Sequence, residues 1–147
     1  MITKKLVALA TLSSLALAAA AVSSTKNPVE RPALGYASAK WVFQQDGATT
    51  TEQTGVGSFG GAFTMTGSGP SPSTVSGVAT AANGDQIFWK TTPDGPFQVT
   101  ITGGTGRFEG ATGGINETWE SERIFTFYPD GSMTMEVTYT FAGSITY

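Results

Sequence analysis

The sequence predicts an all-β domain of about eight antiparallel strands, closed into a barrel in preference to a two-sheet sandwich. Three observations carry this. Apolar and polar residues alternate with a period of two through most of 40–147, which places one set on each face of a strand. Asp46-Gly47, Asn83-Gly84, Pro93-Asp94-Gly95 and Pro129-Asp130-Gly131 punctuate the runs and supply the positive φ of tight hairpins. The 147 residues include 19 Gly and 23 Thr, and only 13% are charged, a composition that favours strands and turns over helices.

The first segment reads as an address. Lys4 and Lys5 precede an apolar run over 6–22, followed by small residues acceptable to a signal peptidase. At 17 residues, with Thr11, Ser13 and Ser14 inside, the run is short for a membrane span. We therefore expect a cleaved signal peptide over 1–23, a flexible leader over 24–35 and a β-barrel domain over 36–147. The expected location is secreted or periplasmic. Cleavage removes Lys4 and Lys5, so a chain with a formal charge of −3 becomes more acidic.

Strands are expected at 40–46, 56–67, 74–82, 86–92, 97–102, 112–120, 123–128 and 133–147. The last is the clearest. Met133, Met135, Val137, Tyr139, Phe141 and Ile145 share one face, and Thr134, Glu136, Thr138, Thr140 and Thr146 share the other. Trp41 and Phe43, then Phe59, Phe63 and Met65, then Phe97, Val99 and Ile101, repeat the pattern. The segments 74–82 and 119–123 are ambiguous, the first because its residues are small and the second because it can hide a turn. One-sided strands need cover for their apolar face, and closure supplies it while removing exposed edges. Eight strands leave an interior that side chains fill, or nearly fill with room for one small ligand.

Several function classes are excluded. There is no Cys and no His, so no disulfide, thiolate site, imidazole ligand or Ser-His-Asp triad exists. We expect no metal and no cofactor. An acidic chain also lacks the basic face of a nucleic-acid binder. The run 101–113 (ITGGTGRFEGATG) invites a dinucleotide-loop reading, but no helix follows it and Glu109 stands where a glycine belongs. Gly103, Gly104, Gly106, Gly110 and Gly113 read better as a structural loop that bends and bulges at a barrel corner.

That run resembles the signature of the allene oxide cyclase barrel and the related dirigent proteins: a strand ending in Gly-Gly-Thr/Ser-Gly, then Phe, then further glycines and long strands. The segment 139–145 (YTFAGSI) is similar to the last barrel strand of that group. The match covers about 84–147. It implies an eight-stranded antiparallel β-barrel of the allene oxide cyclase/dirigent type. It carries no catalytic site, because the plant cyclases are associated with a cavity cysteine that this chain lacks. The dirigent proteins use acidic and Arg residues in segments that do not align with this chain, so the resemblance carries none of them over.

Glu117 and Arg123 share the parity of Ile115, Trp119, Phe125 and Phe127. On an unbroken strand both enter the cavity, with Glu117 as general acid or base and Arg123 as its partner. A turn at Glu120-Ser121 would instead flip the parity and leave both on the surface. Arg107 and Glu109 are either rim contacts to a ligand or an exposed pair fixing the bend. The expected ligand-binding residues are Trp41, Phe43, Phe59, Phe63, Trp89, Trp119, Phe125, Tyr139 and Phe141, with Phe97 and Phe127 on the same lining. Gly57, Gly60, Gly61 and Gly77 contribute no side chains and leave room for a void. Phe88 and Val42 face outward as contact points for a homo-oligomer, a dimer or trimer.

Three functions are consistent with these features. The first is binding of a small apolar molecule in the lumen. The second is a cofactor-free cyclase or isomerase in which one carboxylate assists. The third is a structural or surface-interaction domain with a solid core. A cavity with a buried carboxylate near aromatics favours the second, and one without an ionisable group favours the first.

Overall fold

The computed structural model describes residues 27–92 and 95–147, with side chains for all of these except 95–97. The expected signal peptide lies outside the described residues, as does the side chain of Phe97. Nine strands are present among the described residues: β1 Glu30–Phe43, β2 Thr49–Gly57, β3 Gly61–Gly69, β4 Ser76–Ala81, β5 Gln86–Thr92, β6 Gly95–Gly104, β7 Thr112–Trp119, β8 Ile124–Phe127 and β9 Met133–Thr146. The only helical pieces described are single 3₁₀ turns at Pro72–Thr74 and Gly106–Phe108.

Successive strands pair antiparallel from β1 to β7, β7 pairs with β9, and β9 pairs back onto β1. Eight strands thus close a barrel, as the alternation predicts, and β8 is an addition to it. It lies along the same edge of β9 as β7, paired with Met133 to Glu136, while β7 pairs with Tyr139 to Thr146.

Two boundaries differ from expectation. β1 begins at Glu30, inside the segment read as a leader, and pairs with β9 from Glu30↔Thr146 to Phe43↔Met133. Pro32 is tolerated because β2 reaches only to Gly35, so the other side of β1 there carries no ladder. Ser58 covers that side: its backbone N–H donates to Leu34 O at 2.8 Å, and its hydroxyl donates to Pro32 O at 2.7 Å. The expected strand 56–67 is two strands, with a tight turn at Ser58-Phe59-Gly60 between β2 and β3.

The glycine loop behaves as a corner. Opposite Phe88 and Trp89, β6 slips register, pairing Gly103 and then Ile101, a bulge at Thr102. Gly106 adopts φ +59° to enter the short turn, which drives Phe108 into the barrel end with no exposed surface. Phe108 packs edge-on against Tyr147 (4.8 Å between centroids) and Phe59 (6.4 Å). Phe59, Phe63 and Phe141 complete an aromatic plug at this end.

Neighbouring rings take up the space beside two interior glycines. A Cβ at Gly57 would meet Phe59 at 2.7 Å, and one at Gly67 would meet the Trp89 ring at 2.6 Å. The rings of Phe59 and Trp89 thus occupy the positions of the missing side chains, and the end of the barrel closed by Phe108 is close-packed.

Candidate functional site

The opposite end of the barrel is different. Trp41 and Phe43 of β1, Trp119 of β7, Phe125 of β8, and Met135, Val137 and Tyr139 of β9 surround a cup of about 290 Å³, with Pro72 at its rim. Trp41 and Phe43 stack with centroids 6.4 Å apart. A second, smaller space of about 30 Å³ lies among Phe59, Phe63, Met65, Trp89, Ile101, Phe141 and their neighbours, about one water's worth. Glu117 and Tyr139 line both spaces, so they form the floor between cup and core.

Glu117 faces inward because β7 pairs it with Phe141, an inward residue of β9, and the insertion that follows β7 preserves this parity. Trp119 pairs with Tyr139, but Ile124 pairs with Glu136. Four residues on one side therefore face two on the other. Glu120 and Ser121 both donate their backbone N–H to Thr138 O, at 3.0 and 3.3 Å, which marks the bulge. An even difference keeps the facing side chains on one face. Phe125, opposite Met135, points the same way as Trp119, opposite Tyr139. The strand breaks near Glu120-Ser121, yet Glu117 stays inside.

Arg123 does not become its ion partner. It sits exposed in the bulge, with its guanidinium 4.7 Å above the Trp119 ring at the rim of the cup. The ion pairs among the described residues are Lys40–Glu136 (4.0 Å), on the surface, and Arg107–Asp85 (3.4 Å). The second stands at the plugged end, where Arg107 also covers Phe108. Arg107 and Glu109 therefore lie at the far end from the cup. Glu120 accepts from the Thr140 hydroxyl at 2.7 Å on the outer surface, apart from Glu117.

The floor is wired to β2. The Tyr139 hydroxyl donates to Gln53 Oε1, and Gln53 Nε2 donates to Thr51 Oγ1 at 3.3 Å. Tyr139, Gln53 and Thr51 are all buried. Burial pushes the Glu117 carboxyl up to about 7, partly offset by hydrogen bonding from Tyr139. Burial and the neighbouring Glu117 charge push the Tyr139 phenol up as well, so it remains protonated. Glu117 can thus hold or release a proton near neutral pH, on the floor of an aromatic cup.

The structure divides the expected lining in two. Trp41, Phe43, Trp119, Phe125 and Tyr139 meet at the cup, whereas Phe59, Phe63, Trp89 and Phe141 belong to the packed half. Phe127 has the expected parity but lies beyond the barrel wall and is 75% exposed. Gln53 and Thr51 were not signalled by the sequence. The inward positions of β2 are Thr49, Thr51, Gln53, Gly55 and Gly57, which carry no apolar alternation. A Gln at an in-facing position of a Thr strand was the available cue.

Replacing Tyr139 by Phe removes the link between Glu117 and Gln53. It strands the Gln53 carbonyl oxygen in the interior at a cost of about 1–3 kcal/mol. Thermal denaturation at neutral pH is expected to show this loss, and an unchanged melting temperature would show the chain to be energetically idle.

No known protein family, curated protein or solved structure matches the chain in the comparisons made.

Proposed function

We propose that this barrel binds a small, mostly apolar molecule in the cup, with the molecule's polar group directed at Glu117. The observation that supports this most is the pairing of a cavity of about 290 Å³ with aromatic walls and a single carboxyl at its floor. The plugged opposite end supports a single entrance. The glycine-loop resemblance to the allene oxide cyclase and dirigent barrels agrees with a small-molecule container, and the signal-peptide pattern of 1–23 with an exported one.

A second reading is that of a cofactor-free isomerase or cyclase. The position of Glu117 near neutrality supports it, since a carboxyl poised there can donate and recover a proton within one turnover. Native mass spectrometry of the protein incubated with a metabolite and lipid extract tests the first reading. A discrete mass adduct that a Trp41→Ala, Trp119→Ala variant loses is the expected result. The absence of any adduct, or its persistence in the variant, contradicts binding in the cup. Conversion of the captured molecule, abolished in Glu117→Gln with capture retained, would establish the second reading.

A further inference from the structure

We propose that the molecule the cup accepts carries a cationic amine, held by Glu117 and the Tyr139 oxygen at the floor and by the ring faces of Trp41, Phe43 and Trp119 on the walls. This rests on the binding reading above and names its ligand class.

The first argument concerns hydrogen-bond polarity. The single Tyr139 proton serves Gln53 Oε1 and Glu117, and the Gln53 amide is oriented by its donation to Thr51. The phenol therefore has no free donor left to offer a ligand. An ionised Glu117 adds two acceptor oxygens and no donor. A floor made of acceptors asks for a ligand made of donors, and an ammonium brings up to three.

The second argument concerns charge. Among the described residues Glu117 has no cationic side chain within ion-pair distance, although Arg123 lines the same cup. A carboxylate drawn partly out of water without a counter-ion is unfavourable, and a ligand cation supplies one. The third concerns the walls. Aromatic faces attract cations, and this cup already shows it: the Arg123 guanidinium rests 4.7 Å from the Trp119 centroid. The chain's net negative charge also draws cations toward it.

The titratable and charged groups facing Glu117 across the cup are Tyr139 from β9 and Arg123 from the bulge. Neither β1 nor β8 contributes one to the lining. Tyr139 stays protonated, so Glu117 governs the pH response. Ammonium binding needs the ionised carboxylate and strengthens as pH rises through about 7. A neutral alcohol accepting from the protonated carboxyl would show the opposite trend.

Isothermal titration calorimetry with 2-phenylethylamine, 2-phenylethanol and phenylacetate, of similar size, tests this. At about pH 8 the amine is expected to bind about tenfold more tightly than the alcohol, and the ratio is expected to collapse at about pH 5.5. Glu117→Gln should remove the preference for the amine and its dependence on pH. Arg123→Ala, at an exposed position, should tighten amine binding about threefold by removing a like charge. Equal binding of amine and alcohol, tightest binding of phenylacetate, or weaker amine binding in Arg123→Ala would overturn the amine assignment while leaving the cup as a binding site. No saturable binding of any of the three would overturn both.

Discussion

Phe108→Ala is expected to lower the stability of the barrel by about 3–5 kcal/mol, the cost of deleting a fully buried aromatic ring. Phe108 has no exposed surface and packs edge-on between Tyr147 and Phe59. Its backbone is fixed on both sides, with its N–H donating to Thr105 O at 3.0 Å and its carbonyl accepting from Ala111 N at 2.9 Å. The short turn therefore cannot collapse into the space left behind. A drop in melting temperature of roughly 10–20 °C corresponds to such a loss. Phe127→Ala is the matched control. That ring is 75% exposed, and the change should stay within about 0.5 kcal/mol. Near-equal melting temperatures for the two variants would mean that the loop does not plug the barrel.

The second large effect is a pH dependence of stability that one substitution abolishes. Glu117 has an ordinary carboxyl pKa of 4.5 when exposed and about 7 in the folded barrel. Between these values the folded state holds a proton that the unfolded chain has released. The stabilisation this gives is complete below about pH 4.5 and is lost as pH rises through about 7, amounting to about 3 kcal/mol at most. Glu117→Gln keeps the shape and removes the titration. At about pH 8 the variant is expected to exceed the wild type in stability by about 2–3 kcal/mol, and near pH 4 the two should converge. Taking the difference between the proteins cancels the groups they share. Urea denaturation across this range measures it, and parallel curves would place Glu117 in water.

These effects sit at opposite ends of one barrel, and they divide its labour. The plugged end, with Phe59 and Phe141 against Gly57, supplies packing. The open end holds the one carboxyl among the described residues whose pKa is raised. A site that stores an unpaired carboxylate lowers stability locally, and the packed half offsets that cost.

The sequence made β9 legible almost residue by residue, because its inward side chains are large and apolar and its outward ones are mostly Thr. Closure followed from the number of one-sided strands. The glycine loop was legible as a corner because no helix followed it. β2 was hidden by inward residues that are polar or lack a side chain, Thr49, Thr51, Gln53, Gly55 and Gly57, the last two covered by Phe59, Phe63 and Phe141 from elsewhere. The start of β1 was hidden by Pro32 and its charged neighbours, which are compatible with a strand only where one side is unpaired.

At the site, Glu117 was legible by parity and Arg123 only in part. Both lie on the expected face of an ideal strand, but the bulge over 120–123 carries Arg123 outward to the rim. Whether an interruption adds an odd or an even number of residues is decided by which carbonyls accept its amides, and Thr138 accepts two. No period-two pattern contains that information. The Tyr139–Gln53–Thr51 chain was likewise unreadable, since it joins residues 86 positions apart through a register that only the closed sheet defines.

Carbon-13 NMR of glutamate-labelled protein, with the Glu117 carboxyl signal assigned by its absence in Glu117→Gln, tests the interior placement of this residue directly. The barrel described here predicts a titration midpoint near 7, moved further by the Tyr139→Phe change. A midpoint near 4.5 that ignores Tyr139 would put the carboxyl on the outer surface and leave the cup without its floor.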